Sequence, residues 1–369
     1  MLAAAKLLAE GFSRLRQPAV VGEILAGVLI GPSLLGWVQP SPVSHLLAEL
    51  GVMFLLFSVG LEIKPAAILR VGRAALLVAM LGVLVPFGSG FVLMEAFGGS
   101  RIESLFTGTA LVATSVGISA RILAEMGLLE TRSARIILGA AVIDDILGLL
   151  VLAVVSATAR GAVNVAEIAV TAVLAVAFVA AVGVLVPRLL TRGGVHIGRL
   201  AIASPYFVVS LLLCFGLALA ASWVGVAAII GAFLAGMALA EALEVHRDVH
   251  QQVRGVTELL VPYFLVEIGM QLKLEALEQS YTLWLAAAMT AVAVVSKLAG
   301  CGLGAAALGW RGALQVGAGM VPRGEVGIVV AQIGLAAGVV TDDLFAAVLA
   351  MAVATTLIAP PMIRPLFRR

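Results

Sequence analysis

No charged residue falls between Arg73 and Glu95; the stretch AALLVAMLGVLVPFGSGFVLM fills residues 74–94. A helix rising about 1.5 Å per residue needs about 20 apolar residues to cross a hydrocarbon core about 30 Å thick, and this stretch is long enough. Lipid offers no hydrogen bonds to an exposed backbone, so such a stretch folds as a helix whose amides bond within it. The pattern recurs, predicting spans near 18–38, 43–62, 74–97, 103–126, 131–158, 163–187, 200–221, 223–242, 254–271, 280–308, 312–337 and 343–363. A shorter segment, MLAAAKLLAEGFS, precedes Arg14 and reaches only about 20 Å as a helix. It reads as a shortened first span or the trace of a misplaced start, with no cleavable leader before it.

With 62% apolar residues, 12% charged residues and a mean hydropathy of +1.16, the chain reads as an all-α polytopic membrane protein of about 13 transmembrane helices. Its partner surface is the lipid bilayer. A formal charge of +2 gives no support to nucleic-acid binding. Cys214 and Cys301 lie in separate apolar runs, with neither disulfide nor metal-ligand spacing.

One set of alternate loops holds Arg14, Arg16, Lys64, Arg70, Arg73, Arg132, Arg135, Arg188, Arg192, Arg199, Arg247, Arg254, Arg311, Arg364, Arg368 and Arg369. The other set holds Arg101, Arg160 and Lys273. The positive-inside rule then places the N-terminus outside and the C-terminus in the cytoplasm of the cell (inner) membrane.

The chain also repeats itself. GEILAG at 22–27 matches GAFLAG at 231–236, and AELGVMFLLFSVGLEIK at 48–64 matches TELLVPYFLVEIGMQLK at 257–273, both at an offset of 209 (231 minus 22, 257 minus 48). That offset covers an odd number of spans, so the second copy crosses in the opposite sense, the signature of secondary transporters. Repeat one runs over about 1–158, a linker span over about 163–192 and repeat two over about 200–369, within a single membrane domain lacking a soluble regulatory module. ATSVGIS around Gly117 and MVPRGEVG around Gly324 interrupt corresponding spans. Such discontinuous helices are tolerated at mid-membrane only where they line a binding site.

Charge gathers at the same depth. AVIDDILGLL at 141–150 sets Asp144 beside Asp145 at the centre of one span, and Lys297 lies about 4.5 Å along the helix from the centre of another. Adjacent helical residues point about 100° apart, so one aspartate can face a lysine while the other faces a cavity. Ionisable residues inside a membrane mark function by default.

The segments RQPAVVGEILAGVLIGPSLLG (16–36), LLFSVGLE (55–62), ALVATSVGISARIL (110–123), RIILGAAVIDDILGL (135–149) and MVPRGEVGIVVA (320–331) carry a resemblance covering essentially the whole chain. It resembles the monovalent cation/proton antiporter superfamily, and most closely its sodium/proton antiporters of the NapA type. The resemblance implies an NhaA/NapA-like fold in which two discontinuous helices cross in a core domain. That core would be drawn from spans near 74–158 and 280–363 plus 43–62 and 254–271, moving as an elevator beside a dimerisation domain of a homodimer. It further implies Asp145 as the carboxylate for cation and proton, Asp144 as partner of Lys297, and Thr114 and Ser115 as oxygen ligands. An Asp-Asp pair with a lysine resembles the electrogenic class of the family.

The chemistry agrees, since a small hard cation takes oxygen ligands and competes with a proton for one carboxylate. The expected function is electrogenic exchange of Na+ or Li+ for H+ in pH homeostasis, by a secondary transporter rather than an enzyme, with no cofactor and no metal beyond the transported ion. K+/H+ exchange is the nearest rival. An intramembrane aspartyl protease needs aspartates converging from separate helices, which adjacent residues do not provide, and a passive channel fits poorly with inverted broken helices.

Lys297 reads either as a coupling residue that gives up its proton or as a fixed counter-ion to Asp144. Arg323 and Glu325 read as compensation for half-helix dipoles. Glu267, where the repeat partner is Ser58, departs from the family pattern; it reads as an extra titratable group or, with more weight, as a snorkelling acid or a hydrogen-bond partner of Gln271. Glu23 and Glu62 read as structural acids, and His246 with His250 as a solvated helix end rather than a metal chelate.

Overall fold

The computed structural model describes all residues except 16–18, 63–71, 160–164, 198–202, 243–246, 273, 276–277 and 368–369; the side chain of Glu325 is also outside the described set. The described residues form α1 (Leu2–Arg14), α2 (Ala19–Ile30), α3 (Pro42–Leu61), α4 (Gly72–Ala96), α5 (Arg101–Val112), α6 (Val116–Glu125), α7 (Arg132–Ala159) and α8 (Val165–Ile197). The chain continues with α9 (Pro205–Trp223), α10 (Ala228–Ala242), α11 (Arg247–Met270), α12 (Ser280–Gly304), α13 (Gly309–Gly319), α14 (Glu325–Ala336) and α15 (Asp342–Phe367). No strand occurs among the described residues.

Helix starts follow local chemistry. Ser41 and Ser44 form a reciprocal capping box ahead of Pro42, and Ser100 and Glu103 do the same for α5, with Ser100 N donating to Glu103 Oε2 at 2.7 Å. The span predicted at 18–38 is shorter than expected, because α2 stops at Ile30. Gly31 precedes a proline, and Gly36 turns at φ +61°, where its amide bonds back to the Gly31 carbonyl at 2.9 Å. By length and composition, eight segments among the described residues suffice to cross a membrane, whereas α2, most of α10 and most of α14 are shorter apolar pieces.

Two bundles share the work of burial. In one, α4 packs along α12, α5 and α7, and α12 packs along α15, with α13 and α14 joined to it. In the other, α3 packs along α11 and α10, α2 along α1 and α11, and α9 along α10. α3 and α11 lie chiefly against each other, α10 and α2, and α3 also touches α6 of the first broken pair.

Glycine notches show why, and also show the inverted symmetry. A Cβ on Gly27 would collide with the Val266 carbonyl beside Gly269, and one on Gly236 with the Phe57 carbonyl beside Gly60. Shifting by 209 turns Gly27 into Gly236 and Gly60 into Gly269, so the α2–α11 contact becomes the α10–α3 contact. Gly22 against Leu8 likewise maps to Gly231 against Leu217, making α1 the counterpart of α9. Gly51 against Leu260 maps onto itself, as a contact on a two-fold axis must. Gly27→Val is expected to destabilise the protein by about 3 kcal/mol, the upper range for overpacking, since the obstacle is backbone. Thermal unfolding of the purified variant checks this, and Gly183→Val, which meets nothing within 4 Å, is the neutral control.

Candidate ion-binding site

The broken pairs α5/α6 and α13/α14 cross where each loses its helical hydrogen bonds. Between Val112 and Val116 the chain is non-helical, and Ser115 N donates to Pro322 O at 2.8 Å, stitching one break to the other. Gly324 is required at the crossing, because a Cβ there would stand 2.7 Å from Ser115 Oγ. Ser119 Oγ adds a bond to Gly319 O at 2.6 Å, at the end of α13.

Arg323 is fully buried at this crossing. Its guanidinium donates to Ala113 O at 2.8 Å and to Ala293 O at 3.2 Å, while Thr356 Oγ1 donates to Arg323 O at 2.8 Å. A cation placed on the carbonyl that follows the last residue of α5 opposes the negative end of that half-helix dipole. Glu325 opens α14, the positive end of the other half-helix, though its side chain lies outside the described residues.

Beside the crossing, α7 and α12 supply the buried charges. Lys297 Nζ donates to Asp144 Oδ2 at 3.0 Å and Oδ1 at 3.2 Å, with both side chains wholly buried. Room for the pair comes from α4, where a Cβ on Gly82 would lie 3.4 Å from Lys297 Nζ. Asp145 is buried at 3% exposure on the next helical position. Gly148, one turn further, packs against Val112, so α7 runs past the break at this level. Thr114 and Ser115 are each 3% exposed, and their hydroxyl oxygens have no hydrogen-bond partner among the described residues. Two buried hydroxyls left open at a helix break are available to a ligand that wants oxygen.

A cavity of about 600 Å³ lies at one end of the molecule, lined by Ser58, Glu62, Arg121, Glu125, His250 and Arg254 among others. Burial raises the Glu62 carboxyl above its ordinary value, while the nearby His250 pulls it back down. Sequence reasoning gave Glu23 no partner, but the structure supplies two. Glu23 on α2 is 1% exposed, with Lys6 Nζ at 3.7 Å and Arg121 at 3.8 Å, and Arg121 also forms an ion pair with Glu125 at 2.8 Å. Arg121 belongs to the broken helix and Glu23 to the other bundle, so this cluster ties the two together. Glu23→Gln is expected to cost about 1–3 kcal/mol in thermal unfolding. Its effect should not add to that of Arg121→Gln in a double-mutant cycle; full additivity would show the contact carries nothing.

Glu267 is buried at 7% exposure, and among the described residues no side-chain hydrogen bond joins it to Gln271. His246 lies outside the described residues, and among those described no group of three His, Cys, Asp or Glu residues is placed to hold a metal.

Inverted repeats, paired helix breaks and buried charges at the crossing define a secondary transporter embedded in a membrane by many passes. The profile of the family described as "Sodium/hydrogen exchanger, transmembrane" matches residues 1–369, and the chain belongs to that family. It is 34% identical over 372 residues to the Na+/H+-K+ antiporter GerN of Bacillus cereus, covering 100% of this chain and 94% of that one. It is 36% identical over 406 residues to the high-affinity Na+/H+ antiporter NhaS3 of Synechocystis sp., covering 99% and 87%. The fold is similar to that of the sodium proton antiporter MjNhaP1 from Methanocaldococcus jannaschii, at a TM-score of 0.73 and 18% identity over 97% of this chain and 93% of that one.

Proposed function

We propose that this protein exchanges Na+ for H+ across the cell (inner) membrane, with both ions competing for Asp145. The observation that carries the reading is the arrangement at the break: Asp145 next to a fully compensated Asp144–Lys297 pair, level with the unpartnered hydroxyls of Thr114 and Ser115. Because Lys297 already neutralises Asp144, the site with a proton on Asp145 carries no net charge in its low-dielectric surroundings. Arg323, and Glu325 at the start of α14, hold the half-helix ends in this scheme. Na+/H+ antiport is also the activity for which NhaS3 and a 31% identical antiporter of Enterococcus hirae are named.

In this reading α4–α7 and α12–α15 form the moving core, and α1–α3 with α9–α11 form the static bundle through which two copies associate. In this reading the cavity faces the cytoplasm, a view supported by its lining at the Arg254 end of α11, near the basic loops. Release of a second proton from Lys297 as the cation engages the site makes exchange electrogenic. A K+-driven alternative is favoured by one observation, the Na+/H+-K+ antiport named for GerN. Proteoliposomes with a trapped pH dye decide between them. Na+ added outside should drive proton flux with the voltage clamped; flux driven by K+ and indifferent to Na+ would overturn the Na+ assignment.

A further inference from the structure

Glu267 is a carboxylate the site above does not use. Its Oε2 and the Gln271 Oε1 are both buried without a hydrogen-bond partner among the described residues. Gln271 N donates to Glu267 O at 3.2 Å, so helical spacing continues to residue 271 and the two side chains share one face of the helix end. Phe264, one turn earlier on that face, reaches to 3.5 Å from where a Cβ on Gly117 would stand, just past the first helix break. α3 and α11 run antiparallel past the Gly51–Leu260 contact, which brings Ser44, at the start of α3, to the level of Glu267. Ser44, Ala48 and Val52 follow one another at helical spacing, and Val52 also faces Gly117, at 2.8 Å from such a Cβ.

Glu267 and Ser44 therefore line the seam between the two bundles, on the far side of the break from the cavity, whose walls come from the opposite ends of α3 and α11. His45, next to Ser44 on α3, lies 3.3 Å from Glu49. Two buried acceptors without a donor are costly unless a proton or a cation joins them.

We infer that Glu267, with the Gln271 amide oxygen and the Ser44 hydroxyl, forms a second station for the transported ion between Asp145 and the end of the protein opposite the cavity. A proton on Glu267 supplies the missing donor, and a Na+ finds a carboxylate, an amide and a hydroxyl oxygen there. The station sits on the bundle proposed as static, so it would serve ions entering or leaving on one face only. This inference rests on the antiport reading above.

The full-length protein in liposomes of known orientation, with Na+ applied to one face at a time, tests it. Glu267→Gln should raise the Na+ concentration for half-maximal exchange about tenfold from the face opposite the cavity, and leave it unchanged from the cavity face. An equal shift from both faces, or no shift from either, overturns the inference. If Glu267→Gln fails to fold, Gln271→Leu removes a ligand without adding charge and should give the same one-sided shift, whose absence overturns it equally. Wild-type protein that shows no Na+-driven flux would refute the antiport reading instead.

Discussion

Asp145→Asn is expected to reduce Na+-driven proton flux to the level of protein-free liposomes while leaving the protein folded. The amide keeps the shape of the carboxyl but neither neutralises a cation nor gives up a proton, so both halves of the exchange lose their carrier. A contact between charged groups in a buried site contributes about 1.5–3 kcal/mol or more, which alone implies at least a tenfold loss of affinity. Loss of the exchangeable proton then removes the coupling altogether. Folding should survive, because Asp144 and Lys297 still satisfy each other at 3.0 Å and the variant buries one charge fewer. Size-exclusion behaviour and thermal unfolding check the fold, and dye-reported flux under clamped voltage checks the function. Wild-type exchange by Asp145→Asn would sink the assignment of the carrier.

Much of this arrangement was legible because a membrane leaves so few places for polar residues. Asp144, Asp145 and Lys297 stand out in apolar runs, and Gly117 in one span with Pro322 and Gly324 in the other announce the broken helices. The repeat offset also carried more than topology, since the glycines of GEILAG and GAFLAG turned out to notch equivalent helix crossings.

What stayed hidden depends on which helix lies against which. Glu23 meets Lys6 and Arg121 only because α1, α2 and α6 converge, and no spacing along the chain encodes that. The neighbours of α3 and α11 stayed hidden for the same reason: close backbone approaches at Gly60 and Gly269 set them against α10 and α2. Arg323 was legible as a dipole compensator, yet its two carbonyl targets, Ala113 and Ala293, come from different helices. The early end of α2 was written in Gly31–Pro32, but the apolar LLGWV that follows masked it.

Lys297→Met is expected to destabilise the protein by about 3–5 kcal/mol, the cost of leaving a buried carboxylate without its counter-ion. Asp144 has no exposed surface through which water could take the place of the lysine, and both of its oxygens accept from Lys297 Nζ. The double variant Asp144→Asn/Lys297→Met should recover most of that loss, because a neutral pair carries no desolvation penalty and such pairs often match the ionic original in stability. Thermal unfolding of the two single variants and the double variant gives the coupling directly, and additive losses would mean the ion pair contributes nothing. The double variant also addresses stoichiometry, since it retains Asp145 but has no lysine proton to release. Its exchange should become electroneutral, with dye-reported Na+-driven flux persisting while the transport current vanishes. A current per Na+ equal to that of wild type would show that Lys297 is a fixed counter-ion and that the second proton comes from elsewhere.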